Sequence, residues 1–460
     1  MNNQFSSLAL RPELLNNLES LAYEQMTDIQ AACLPLALAG KDIIAQAKTG
    51  SGKTAAFGLT LLQRLQVKRF RVQTLVLCPT RELADQVAKE LRRLARQVHN
   101  IKILSLCGGV SIGPQIGSLE HGAHIIVGTP GRIEDHLRKG TLDLSNLDTL
   151  VFDEADRMLD MGFSEAIENI VGYCPKQRQT LLFSATYPKE IEAISAQYLN
   201  KPERIQVESK HKASNIQQFA IELKSPDEKD ELCHRLLASY QPESCIIFCA
   251  TKRQTQTIAW ELKDRGWTAL ALNGDMEQRE RDQTLLRFAN ASATILVATD
   301  VAARGLDIAS VGLVINYDLP RDPEIHVHRI GRTGRAGREG VAVCLVEPRQ
   351  QRAMNDIEEY LGQKAEILDQ NELSNETDIE QRPQMITIAI DGGKRSKVRP
   401  GDILGALTRD GGFQGSQIGK ISIFPNHAYV AIHRAIANQV LAYLRDGKIK
   451  GRSFKVRKLS

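Results

Sequence analysis

Ala47-Lys48-Thr49-Gly50-Ser51-Gly52-Lys53-Thr54 follows the apolar stretch Asp42-Ile43-Ile44-Ala45 and precedes Ala55, Ala56, Phe57, Leu59, Leu61 and Leu62. The first flank reads as a buried strand, and the apolar positions after Thr54 recur at helical spacing. Glycines, hydroxyls and a lysine therefore sit in a turn that opens a helix. Backbone N–H groups at such a helix start lack helical partners and point outward, so they suit phosphate oxygens. Lys53 has the length to reach β and γ phosphates, and the Thr54 hydroxyl suits Mg²⁺. A flexible Gly/Ser/Thr turn is the plainer reading, but Gly-Lys-Thr directly after a strand is a specific signal. Ala47 stands where the regular pattern begins with glycine.

Working outward, short β-branched runs alternate with longer amphipathic segments from about Asp42 to Val346. Leu75–Cys78, Ile101–Leu104, His124–Val127, Leu150–Phe152 and Leu181–Phe183 read as strands of a first half. Ile246–Phe248, Leu270–Leu272, Ile295–Val297, Leu313–Ile315 and Val341–Val343 read as strands of a second. This alternation predicts two parallel α/β lobes, whose ligands bind beyond the carboxyl ends of the strands. The polar segment Pro202–Gln218 reads as the linker between them. A second, acidic pause (Glu366, Asp369, Glu372, Glu376, Asp378, Glu380) reads as a tether to a C-terminal unit. The second lobe has no glycine-rich loop after Phe248, so both lobes are expected to share one nucleotide site.

The chain has 460 residues, 42% hydrophobic and 25% charged, which fits about three ordinary globular domains. No apolar run approaches the ~20 residues of a membrane span. The start Met1-Asn2-Asn3-Gln4 does not read as a signal peptide, so a cytoplasmic protein with no membrane partner is expected. Eight scattered cysteines with no Cys-x-x-Cys suggest buried thiols. The net charge of +4 is unevenly spread. Gln381–Ser460 hold 15 Lys+Arg against 4 Asp+Glu, whereas the remaining chain holds 44 against 51. A basic unit on an acidic body suggests a polyanion partner.

Val151-Phe152-Asp153-Glu154-Ala155-Asp156 ends a hydrophobic strand with carboxylates. Asp153 suits a water-mediated hold on Mg²⁺, and Glu154 suits orienting or deprotonating the attacking water. Such carboxylates often merely begin a helix. Paired with a phosphate loop, they read as hydrolytic.

Asp153-Glu154-Ala155-Asp156 resembles the signature of DEAD-box ATP-dependent RNA helicases, and the likeness extends from about Phe5 to Val346. The resemblance implies two tandem RecA-like doubly wound parallel-sheet lobes, here residues 1–205 and 216–365, with ATP and Mg²⁺ as cofactors and RNA as partner. Thr27-Asp28-Ile29-Gln30 resembles the adenine-reading Q motif, with Phe5 as its upstream aromatic. The family usually has proline at Asp28 and glycine at Ala22. The nucleotide set implied is thus Phe5, Gln30, Ala47–Thr54 and Asp307, with Thr54 and Asp153 at the metal. Lys53, Asp153, Glu154 and the arginine fingers Arg332 and Arg335 of His328-Arg329-Ile330-Gly331-Arg332-Thr333-Gly334-Arg335 are implied as catalytic.

Pro79-Thr80-Arg81-Glu82-Leu83, Gly108-Gly109 and Thr129-Pro130-Gly131-Arg132 resemble the family's grip on the RNA sugar-phosphate backbone. Gly274, Gln278, Arg281, Thr299 and Arg304 resemble its counterpart in the second lobe. Strand-end glycines and threonines expose donors suited to phosphate and 2′-OH without reading bases. Asn273 stands where histidine is usual. Ser184-Ala185-Thr186 matches a motif that couples hydrolysis to strand separation, and equally fits a helix cap before Pro188.

After the 366–383 linker, residues 384–460 are expected to form a small α+β RNA-recognition-type domain in the order βαββαβ. Its strands are expected at Met385–Ile390, Gly419–Phe424, Ala428–Ile432 and Ser453–Val456, and its helices at Arg399–Arg409 and Arg434–Leu444. Only Tyr429, with Ala428 and Val430, retains the character of the usual aromatic platform. RNA binding is therefore assigned to Lys394, Arg395, Lys397, Arg399, Lys448, Lys450, Arg452, Lys455 and Arg457 together with Tyr429. Pro400-Gly401-Asp402-Ile403-Leu404-Gly405-Ala406-Leu407-Thr408 and Ile418–Ile421 resemble the C-terminal domain of the bacterial DbpA subfamily. That resemblance implies a hairpin of large-subunit (23S) ribosomal RNA and pre-50S ribosomal particles as partners, with the protein a monomer. An ATP-gated RNA clamp with little unwinding, and more distantly a DNA helicase, are the competing readings.

Overall fold

The computed structural model describes residues 3–47, 50–187, 189–207, 216–303, 311–334, 339–375 and 382–459, with backbone alone at 301 and 303. Its first sheet contains β1 (Ile43–Gln46), β2 (Thr74–Leu77), β3 (Ile103–Leu106), β4 (Ile125–Gly128), β5 (Thr149–Asp153), β6 (Gln179–Ser184) and β7 (Glu203–Gln206). Their order is β3-β4-β2-β5-β6-β1-β7, and every pairing is parallel. Alternate residues of each strand enter opposite cores. Ile43, Val76 and Val151 pack against Pro12–Ser20, Asp28–Leu38, Lys53–Arg64 and Arg81–Leu94. Ile44, Leu75 and Phe152 pack against Pro130–Arg138 and Ser164–Gly172. Two covered faces explain why the strands read as continuous apolar runs rather than alternating ones.

The second parallel sheet comprises β8 (Ile216–Glu222), β9 (Cys245–Phe248), β10 (Ala269–Leu272), β11 (Ile295–Ala298), β12 (Leu313–Asn316), β13 (Gly340–Val346) and β14 (Glu366–Ile367). Its order is β10-β11-β9-β12-β13-β8-β14. Three of the strands correct the sequence expectation. β7 lies within the stretch read as an interlobe linker, β8 begins in its last three residues, and β14 lies within the acidic tether. The acidic segment is held to the lobe further along as well. Arg235 donates to the carbonyls of Gln370, Leu373 and Ser374 at 2.7–3.2 Å, and Leu373 is buried.

The C-terminal residues form β15 (Met385–Ile390), β16 (Ile418–Ile423), β17 (Ala428–His433) and β18 (Val456–Lys458), antiparallel in the order β16-β17-β15-β18. Helix Pro400–Gly405, continued by a wider turn Ala406–Asp410, and helix Ala437–Asp446 complete the expected βαββαβ order. Ile388, Ile390, Val430 and Ile432 face this domain's own core. The opposite face lies on the second lobe. Ala389 and Tyr429 pack on Leu286 of helix Gln278–Ala289, and the Thr387 hydroxyl hydrogen-bonds that of Ser292 at 2.7 Å.

All eight cysteines are buried, and burial pushes the Cys33, Cys107 and Cys249 thiols up to about 12. Among the described residues no helix is long and apolar enough to cross a membrane.

Candidate active site

The phosphate loop leaves β1 and enters helix Lys53–Arg64. Gly50 and Gly52 have φ of +86° and +93°, a backbone region that penalises any side chain. A Cβ on Gly52 would also lie 2.4 Å from Gln30 Nε2. Gln30, 2% exposed, donates to the Gly52 carbonyl at 3.1 Å and accepts from Thr27 N–H at 3.0 Å. Thr27 Oγ1 donates to the Ser51 carbonyl at 2.8 Å. The glutamine implied to read adenine therefore also braces the phosphate loop. Phe5, implied as the motif's upstream aromatic, packs into the core of the first lobe. It is 4% exposed, edge-on to Tyr23 at 5.9 Å, and supports the segment leading to Gln30, where Met26 N–H bonds Asn3 O. Lys48 and Thr49 lie outside the described residues.

Asp153 ends β5 at 3% exposure, and burial pushes its carboxyl up to about 7 despite the opposing charge of Lys53. Lys53 is 6% exposed, and among the described residues its Nζ has no hydrogen-bond partner, nor does Ser51 Oγ. A buried cation with no hydrogen-bond partner among the described residues lies within electrostatic reach of a buried carboxylate whose proton affinity is raised, an arrangement that MgATP would complete on both sides. Glu154 takes φ +55°, a left-handed conformation costing about 1–2 kcal/mol in a non-glycine residue. Arg157 holds its carboxylate at 2.6 Å, with both side chains buried. Next to it, Asp156 Oδ2 accepts from the backbone N–H groups of Ala185 and Thr186 and from the Thr186 hydroxyl at 3.1–3.2 Å. Ala47 N–H in turn bonds Ser184 O at 3.0 Å. The Ser-Ala-Thr segment is thus joined to both the carboxylate cluster and the phosphate loop.

The ends of β2, β3 and β4 on the same sheet carry a second cluster. Thr80 caps its helix by accepting Leu83 N–H, and Arg81 donates to Gly108 O at 3.4 Å. Arg132, in the helix after Thr129, donates to Val110 O at 2.9 Å. Two arginines and the left-handed Gly109 (φ +72°) thus surround the loop after β3, and a Cβ on Gly131 would meet open space. The residues implied for the nucleotide lie at the ends of β1, β5 and β6, and those implied for RNA at the ends of β2, β3 and β4.

In the second lobe, Arg329 grips Asp300 through two hydrogen bonds at 2.6 and 2.8 Å and also bonds Asn316 and the Asp318 carbonyl. This fixes the helix Pro323–Ile330, which leads into Arg332, against Asp300 next to Thr299. Lys229, 3% exposed, bridges Asp318 and Glu347 at 2.7 Å. Buried pairs of this kind are costly to break, about 3–5 kcal/mol when one partner is removed. Asn273, buried at the usual histidine position, donates to Thr255 and accepts from Asp275 N–H, so it sets the turn containing Gly274. Gln278 bonds Asp282, and Arg281 bonds the Ala302 carbonyl. His326 is buried and pushed down to about 4 by burial and by Arg329. Arg304, Asp307 and Arg335 lie outside the described residues.

The family model described as DEAD/DEAH box helicase matches residues 27–194, and that described as Helicase conserved C-terminal domain matches 228–337. The chain is 54% identical over 456 residues to ATP-dependent RNA helicase DbpA of Escherichia coli (strain K12), covering 99% of both. The chain belongs to the DEAD-box ATP-dependent RNA helicases. It is also 39% identical to ATP-dependent RNA helicase DbpA of Bacillus subtilis (strain 168), over 99% of each chain. Among solved structures, S. cerevisiae Dbp5 bound to RNA and ADP BeF3 aligns with TM-score 0.73 and 32% identity, covering 80% of this chain and 96% of that one. The third family model, DbpA RNA binding domain, matches residues 387–458 and makes this a helicase of DbpA type.

In that RNA-binding domain of the helicase, Lys394, Arg395, Lys397 and Arg399 are exposed on the loop after β15, and Lys448, Lys450, Arg452 and Lys455 are exposed before β18. The two loops meet where Lys450 Nζ donates to Lys397 O at 3.3 Å. Tyr429 does not join them. It is 4% exposed, and Gln283 Nε2 donates to its hydroxyl at 3.3 Å, so the assignment as an RNA-stacking platform is corrected to a packing role against lobe two. The sequence reading assigned no role to Arg157, Lys229 or Arg329. Their signal was charge placed just beyond an apolar strand or inside an otherwise apolar helix face, a pattern that exposed residues share.

Proposed function

We propose that the helicase pries apart short RNA duplexes locally while its C-terminal domain anchors it to a structured RNA, a 23S ribosomal RNA hairpin, during assembly of pre-50S particles. It acts in the cytoplasm as a monomer. The observation that carries the nucleotide half of this reading is the buried Lys53 ammonium, without a hydrogen-bond partner among the described residues, within electrostatic reach of Asp153. Lys53 and the N–H groups of the loop would bind the ATP phosphates, Thr54 and Asp153 would hold Mg²⁺, and Gln30 would select adenine. The metal would neutralise charge on the phosphates. Glu154, held by Arg157, orients the attacking water, and Arg332 and Arg335 stabilise the γ-phosphate, a contribution worth ~10³ to 10⁵ in rate. Asp307 serves the ribose or base side.

The RNA half of the reading is supported by the donor clusters at Thr80, Arg81, Gly109, Thr129–Arg132, Gly274, Gln278, Arg281, Thr299 and Arg304, and by the basic loops of the tail. The ribosomal target is supported by membership of the DbpA group. ATP and RNA drive closure of the lobes because both bind the closed state better, so each strengthens binding of the other. Hydrolysis then opens the clamp and releases the strand.

Lys53→Ala, measured for ATP turnover and for hairpin binding, tests the nucleotide assignment. Turnover should vanish while binding through the tail persists, and full turnover would refute it. Deletion of residues 381–460 should abolish preference for the hairpin-bearing RNA and leave activity on other RNAs at higher concentration. Preference that survives the deletion would refute the anchor.

A further inference from the structure

The sheet face that RNA-recognition folds commonly offer to bases is covered here by the second lobe, with Thr387, Ala389 and Tyr429 each at most 4% exposed. RNA bound by this domain must use another surface. At the edge beside β18 lies an open cavity of about 590 Å³ lined by Asp391, Arg445, Phe454, Lys455 and Arg457 among others. The half-buried Phe454 ring rests on the chain at Gly392, where a Cβ would come within 2.4 Å of ring carbons. Arg445, Lys455 and Arg457 are exposed around it. The Asp391 carboxylate receives Arg457 at 3.1 Å and His427 at 3.3 Å, both on Oδ1. Its other oxygen accepts no hydrogen bond from the described residues.

An aromatic ring, three cations and one available acceptor oxygen match a single unpaired nucleotide. The ring offers a stacking face, the cations suit the flanking phosphates, and a carboxylate oxygen accepts from an exocyclic amino group. We propose that this cavity takes an extruded base of the anchoring RNA, and that Asp391 favours adenine, cytosine or guanine over uracil, which presents a carbonyl at the corresponding edge. The proposal rests on the reading of this domain as the RNA anchor. It adds a place for the base and a rule for choosing it.

The test uses the full chain without ATP, titrated with poly(A), poly(C) and poly(U) RNA in a filter-binding or anisotropy assay across a salt series. The wild type should bind poly(A) and poly(C) more tightly than poly(U). Asp391→Asn keeps an acceptor for Arg457 and His427 but replaces the second oxygen with a donor, so the preference should shrink or reverse toward poly(U). Arg445→Gln with Lys455→Gln should weaken all three about tenfold near physiological salt and flatten the salt dependence by about two counterions. Phe454→Leu, which keeps the packing volume, should weaken all three without altering the salt slope. Melting curves for each variant verify folding. If these variants bind as the wild type does while Lys394→Gln with Lys397→Gln binds less, the cavity proposal is overturned and the anchor reading stands. If neither set changes binding, or no homopolymer binds, the proposal fails, and loss of the deletion effect described above would then show that the anchor reading has failed too.

Discussion

Asp156 Oδ2 accepts two hydrogen bonds from Thr186, one from its backbone N–H and one from its hydroxyl, each at 3.1 Å. This carboxylate is three residues from Asp153, while Ser184, two residues before Thr186, accepts the first N–H of the phosphate loop. The Ser-Ala-Thr segment therefore touches both parts of the hydrolytic machinery without contributing a charge. The Thr186 hydroxyl donates to Asp156, a link that a helix cap does not require.

Thr186→Val removes the hydroxyl bond and preserves the backbone one. A single hydrogen bond to a charged group is worth roughly 1.5–3 kcal/mol, which corresponds to about tenfold or more. ATP turnover should stay within about twofold of wild type while duplex displacement per ATP falls about tenfold. Equal loss of both, measured in parallel assays, would assign Thr186 to the chemistry itself.

Asp153 makes stability depend on pH in an unusual direction. Its folded pKa is raised from 3.8 to about 7 by burial, so the folded state holds this proton longer than the unfolded chain does. The associated stability is fully present below about pH 4 and is lost as pH rises through about 7. Relative to Asp153→Asn, the wild type should become less stable across that window, by roughly 2–4 kcal/mol at pH 8. Paired denaturant titrations from pH 4 to 8 measure it. A constant difference between the two proteins would contradict the assignment.

Ala22 ends helix Pro12–Ser20 with φ +57°, and Tyr23 N–H returns to Leu18 O at 3.0 Å. This closing turn favours glycine, the residue usual for the family at this position. Ala22→Gly relieves about 1–2 kcal/mol of strain but adds unfolded-chain entropy, for a net gain of about 0.5 kcal/mol. Denaturant unfolding of the variant should show a higher midpoint, and a lower one would mean the turn is not strained.

The parts of this architecture that sequence makes legible are those where local chemistry decides. Gly50, Gly52 and Lys53 between an apolar strand and helix define the phosphate loop, and apolar runs such as Leu75–Leu77 define central strands because both sheet faces are covered. The edges were obscured by polar residues. In β7, only Ile205 of Glu203-Arg204-Ile205-Gln206 is buried, and β14 has two exposed residues, so neither carries a hydrophobic signal. Tyr429 was misread for a different reason. An aromatic on a strand of a basic domain suggests a stacking platform, and only the tertiary approach of Leu286 and Gln283 makes it part of a core. The links from Asp156 to Ala185 and Thr186 likewise depend on distant chain segments meeting.

The central claim is that the cradle around Lys53 drives strand separation beside an anchored RNA. It is tested most directly by displacement of a labelled strand from a short RNA duplex placed next to the cognate hairpin, with and without ATP. The account predicts ATP-dependent displacement that requires Lys53 and is strongly favoured by the hairpin. ATP hydrolysis and RNA retention without displacement would contradict it and identify the protein as an ATP-gated clamp.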